Sequence, residues 1–157
     1  MKTMLFRVTA AGLFLVFAFF AQPAHAQTAA RLEALLKTTE VTWEQAAAFV
    51  LEAADIKTPG TNAFSYAAAQ KWLPKDASSG SAARLNGIAL LLMRSFDIKG
   101  GIFFRISKNP HHAYRELTYK RIIRGDTDPD KTVSGADLLL MINRILSMKE
   151  KEQAVQK

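Results

Sequence analysis

Six oxygen-bearing residues, Asp126, Asp128, Asp130, Thr132, Ser134 and Asp137, fall at positions 1, 3, 5, 7, 9 and 12 of one run. That spacing lets alternate oxygens converge on a single hard cation, and Ca²⁺ is the ion such oxygen sets hold. Val133 supplies an apolar eighth position, but the sixth is Lys131, where the sharp turn of a calcium loop asks for glycine. The same residues also read without a metal, as a polar turn. Asp126 or Asp128 then supports the turn at Pro129, and Asp137 closes a capping box opened by Ser134.

Little else in the chain is placed to react. His111 and His112 are adjacent, so on a helix they point about 100° apart and do not share one ion. With no cysteine and no other histidine beyond His25, transition-metal binding has no ligand set. No serine lies in a Gly-x-Ser-x-Gly setting with a histidine base. Glu44, Glu52 and Asp55 read as a solvated helix face, and Trp43, Trp72 and Tyr114 as packing aromatics. The expectation is a protein without catalytic activity and without a required cofactor, Ca²⁺ aside.

The elements that hold these residues begin after a leader. Lys2 and Arg7 precede an uncharged run from Val8 to Ala21, followed by Pro23 and the small-x-small triplet Ala24-His25-Ala26. This order is that of a secretory signal peptide, 1–26, cleaved before Gln27. The apolar core is also short of the roughly 20 residues a membrane-spanning helix needs. The expected location is periplasmic or secreted, with no lipid anchor, no stable membrane span and no nucleic-acid partner. Without Lys2 and Arg7 the remaining 131 residues carry 19 basic and 14 acidic side chains. That excess of positive charge favours an anionic partner.

Past the leader, the pattern predicts an all-α domain over 39–149, preceded by a leading segment 27–38 and followed by a charged tail 150–157. Three longer helices form the core and two shorter ones connect them. The first long helix opens at Val41-Thr42-Trp43-Glu44-Gln45, a capping box, and repeats Ala46, Phe49, Val50 and Ala53 on one face, with Ile56 at its end. The second starts near Ser81, carries the unbroken apolar run Ile88 to Met93, and therefore belongs at the centre, with Arg84 and Arg94 at its exits to solvent. The third opens at Val133-Ser134-Gly135-Ala136-Asp137 and buries Leu138, Ile142, Ile145 and Leu146. The short helices are Phe64 to Trp72 and Pro110 to Ile123, the latter capped by Asn109. Leu32, Leu35 and Leu36 give the segment 28–38 helical spacing as well. Between Gly100-Gly101 and Pro110, Ile102-Phe103-Phe104-Arg105-Ile106 reads as a short extended segment, from its aromatic and β-branched content.

The first and third long stretches echo each other: an apolar residue, a hydroxyl cap, an amide or acid three residues on, then a helix face. A repeated unit of this kind points to a repeat architecture. Ala113-Tyr114 through Gly125, Pro129 and Val133 to Leu146 resembles a repeat of the S-layer homology (SLH) family. Val41 to Ala46 begins a second copy, and Phe64 to Trp72 resembles its short helix. The resemblance implies a helical bundle with one core helix per repeat, and an envelope interaction module holding a partner protein or an anionic cell-wall polymer. Where the family places its binding arginine, this chain has Trp43 and Gly135. The acidic run also resembles the calcium loop of dockerins, which implies the alternative of a calcium-binding module.

Overall fold

The computed structural model describes residues 24–58, 60–125 and 128–155. The leader reading rests on residues 1–23, which lie outside the described residues, and on Ala24 to Ala26, which open the first helix. The fold is all-α. Its described residues form seven helices, with two isolated antiparallel bridges in place of a sheet. The chain divides into two compact units, Met1–Ala34 and Leu35–Lys157. The first contains most of α1 (Ala24–Leu36), a helix that starts earlier than the leucine spacing alone indicates.

In the second unit the three long helices are α2 (Trp43–Ala53), α4 (Leu85–Ser95) and α7 (Gly135–Val155). The shorter ones are α3 (Ala63–Ala69), α5 (Ile102–Ser107) and α6 (Pro110–Tyr119). α2 begins as its sequence dictates: Thr42 Oγ1 accepts from Gln45 N at 3.3 Å and Gln45 Oε1 accepts from Thr42 N at 3.0 Å. Asn62 and Asn109 cap α3 and α6 by accepting from Ser65 N and His112 N. Ser134 Oγ accepts from Asp137 N at 3.1 Å to cap α7. α4 is the central helix, with every residue from Gly87 to Met93 buried.

Several expectations change. The segment Ile102 to Ile106 is helical, not extended. Gly101 N donates to Glu116 Oε1 at 2.8 Å, which satisfies one donor at the helix start, and Phe104 alone of the two phenylalanines is buried. A side chain at Gly100 would meet the Phe104 ring at 2.7 Å, so the double glycine lets α5 lie close. Second, α4 begins at Leu85, because Ser81 to Arg84 runs extended and carries the bridges Thr42↔Ala82 and Arg84↔Thr132. Third, Met141 and not Leu146 completes the buried stripe of α7, with Leu138, Ile142 and Ile145. At 100° per residue Leu146 lies about 40° beyond Ile142, at the outer edge of the stripe, and is 37% exposed.

Four helices end the same way, and none uses glycine. After α2, α3, α4 and α6 the left-handed residues are Asp55, Lys71, Asp97 and Arg121, with φ of 54°, 57°, 49° and 57°. The next residues, Ile56, Trp72, Ile98 and Ile122, donate their N–H back to Leu51, Ala67, Met93 and Leu117, each at 2.9 Å. This is the Schellman arrangement, in which the apolar residue after the turn folds onto the helix it leaves. Ile98 and Ile122 are buried, and Ile56 and Trp72 pack against the core. The expected extension of α6 to Ile123 therefore stops at Tyr119, and Ile122 and Ile123 return to the core instead.

Candidate functional site

The long helices share one origin. Val41 N donates to Val133 O at 2.8 Å, Val133 N to Ala83 O at 3.1 Å, and Ala83 N to Val41 O at 2.8 Å. Each of the three residues thus gives one backbone hydrogen bond and receives one, closing a ring. All three are fully buried. A second tier follows it: Trp43 N donates to Ser81 O, Leu85 N to Lys131 O and Gly135 N to Thr38 O, at 3.1, 2.9 and 2.9 Å. The echo read between two helix starts is therefore threefold, with Ala83-Arg84-Leu85 as the missing member. That start carries no hydroxyl: Arg84 occupies the cap position without a side-chain capping bond.

The acidic run lies on this hub. Asp126 is outside the described residues. Asp128 Oδ1 accepts from Asp130 N at 2.9 Å, and Asp130 Oδ1 accepts from Asn86 Nδ2 at 2.8 Å. Thr132 Oγ1 donates to Glu40 Oε1 at 2.9 Å, and Ser134 with Asp137 forms the cap of α7. Asp128 is thus brought to Asp130 and Ser134 to Asp137, while the side chains of Asp130 and Thr132 reach out to other segments. Among the described residues no three carboxylate or imidazole side chains gather as a metal set. The loop is stitched to α4 along its main chain too, since Asn86 N donates to Pro129 O at 2.8 Å.

Where one repeat meets the next, the hub leaves grooves. Between α2 and the segment entering α4, a cavity of about 300 Å³ is lined by Trp43, Pro74, Asp76, Ser81 and Arg84. The corresponding groove between α4 and the segment entering α7 is smaller, about 110 Å³, and includes Leu85, Arg124, Lys131, Asp137 and Arg144 in its walls. The positions correspond: Trp43 and Leu85 open their helices, Pro74 and Arg124 follow the Schellman turns, and Ser81 and Lys131 precede the ring. The chemistry differs. Among the described residues the second groove carries three cations against one carboxylate, and two of the cations are held by main-chain oxygens. Arg144 Nη1 donates to Ile122 O at 2.7 Å, and Arg124 Nε donates to Arg121 O at 3.1 Å. At the third junction a side chain on Gly135 would lie 1.7 Å from Leu35 O, so backbone sits directly on the helix start.

The basic groove was invisible in the sequence because its cations come from three separate stretches. Lys131 entered the reading only as a misfit in the cation loop. No family model, curated protein or solved structure matches the chain.

Proposed function

We propose that the chain is a non-catalytic interaction module of the cell envelope, SLH-like in build, which holds an anionic envelope polymer. The leader reading of residues 1–26 supplies the compartment in which such polymers occur. The observation that carries the proposal is the groove of Arg124, Lys131 and Arg144. Three cations from three segments face one opening, Asp137 is the one acid among its described wall residues, and two guanidinium groups are oriented by carbonyl oxygens. A polymer with repeating phosphate or carboxylate groups fits such a site, because a planar guanidinium matches those anions bidentately.

The test is co-sedimentation of the protein with purified anionic wall polymer. Retention should fade as salt rises. The Arg124→Glu and Lys131→Glu changes should each weaken it roughly fivefold, taking about 1 kcal/mol per cation facing an anionic surface. Retention that ignores both salt and charge reversal would assign the groove to a protein partner or to no ligand.

A further inference from the structure

A second surface lies at the other end of α4. α5 is turned the wrong way for a soluble helix: Ile102, Phe103 and Ile106 are 69%, 74% and 79% exposed, while Phe104 is 6% exposed. At about 100° per residue, Ile102, Ile106 and Phe103 fall within one arc of about 100°, opposite Phe104. The helix is held in this attitude from several sides. The Phe104 and Met93 side chains both close on Gly100, Gly101 N is bonded to Glu116, and Lys108 closes the helix in a left-handed conformation with φ 47°. Ser107 Oγ donates to Phe103 O at 2.9 Å, and the Phe103 ring lies 6.0 Å from that of His112.

Exposed cations flank the segment along the chain. Arg105 lies next to Ile102 around the helix, and Lys99 and Lys108 stand at the two ends of the segment. These three, with Arg94, also line a cleft of about 630 Å³ on the Phe104 side of α5, in which Asp97 is the one acid among the described residues. Three protruding apolar side chains are too small an area for a stable protein interface, which buries about 800 Å² on each partner. Apolar side chains that penetrate a few ångströms while flanking lysine and arginine meet headgroups is instead the pattern of an interfacial membrane anchor. Charge complementarity selects the lipid.

We infer that α5 is a membrane-docking wedge: Ile102, Phe103 and Ile106 enter the interface of an anionic lipid bilayer while Lys99, Arg105 and Lys108 bind its phosphate headgroups. No helix among the described residues is long and apolar enough to cross a membrane, so the contact is peripheral. It is separate from the groove at the hub, and the two stand or fall independently.

The chain has no cysteine, so a single introduced thiol reports one place. An environment-sensitive fluorophore is attached at Ile106→Cys, and in a second sample at Ala136→Cys, which is exposed at the hub end roughly an α4 length, about 16 Å, away. Each sample, prepared from the protein recovered after export, is mixed with phosphatidylglycerol vesicles or with phosphatidylcholine vesicles. The expected result is a blue shift at position 106 with the anionic vesicles, no shift at 136, and little with the neutral ones. Ile102→Ser with Phe103→Ser should weaken partition of the 106-labelled protein about tenfold, equivalent to about 1.4 kcal/mol. Lys99→Glu with Lys108→Glu should do the same at low salt, and the exposed positions of all four residues leave folding intact, as a thermal melt checks. Three outcomes overturn the inference: no shift at 106, an equal shift at 136, or a shift at 106 that grows with protein concentration without vesicles. The last would assign the face to a second copy of the chain.

Discussion

The two ends of α4 solve opposite problems. At its start, polar groups are taken out of water: the backbone of Val41, Ala83 and Val133 is fully buried, and each N–H and C=O meets a partner in the ring. At its far end, apolar groups are left in water: Ile102, Phe103 and Ile106 stand exposed on α5. The hub satisfies the rule that buried backbone groups be paired, and nothing about it solicits a ligand except the groove beside it. The α5 corner departs from the rule that apolar side chains turn inward, and departures of that kind mark places of contact. Paired, buried backbone is thus concentrated at one end of the helix and exposed apolar surface at the other.

Substitutions can test that contrast. Gly135→Ala should be the most damaging, because its Cβ would fall 1.7 Å from Leu35 O and backbone must move. A loss of at least about 3 kcal/mol in urea denaturation is expected, in the range of severe core disruption. A loss under 1 kcal/mol would show that the hub yields easily. Phe104→Ala should cost about 3 kcal/mol, as large-to-small changes at buried aromatics do, whereas Phe103→Ala should change stability by less than about 0.5 kcal/mol. Equal losses at the two neighbours would abolish the distinction between the faces of α5. One change should act with the opposite sign. Asp97 holds φ 49° without being glycine, so Asp97→Gly should stabilise the protein by about 1 kcal/mol, seen as a higher melting midpoint.

How much of this was legible follows from where each signal resides. Side-chain caps are written in residue types, so Thr42 with Gln45, Asn109 and Ser134 announced three helix starts. The run Ile88 to Met93 announced the central helix. The ring is built from backbone atoms, and every residue carries those, so only the burial of Val41, Ala83 and Val133 is selective. Ala83-Arg84 lacks both the hydroxyl and a large apolar neighbour, which is why the third repeat did not stand out. Helix ends were misread for a related reason: with Asp55, Lys71, Asp97 and Arg121 in the left-handed position, the usual glycine signal was absent. The segment Ile102 to Ile106 misled because its composition suits a strand, while the approach of Phe104 over Gly100 is a tertiary fact. Of the acidic run, the cap formed by Ser134 and Asp137 was legible, but the bond from Asn86 to Asp130 joins residues far apart in the chain.

The ring also bears on the order in which the molecule assembles. Its three members are separated by 42 and 50 residues, so no local segment can make even one of its hydrogen bonds. Loop closure over such distances slows folding and couples its parts. Without the third start, the Val41 N–H and the Ala83 C=O would each lose a partner inside the protein. A nascent chain therefore holds one ring bond of three until Val133 arrives, and the ring closes only when the last helix start is in place.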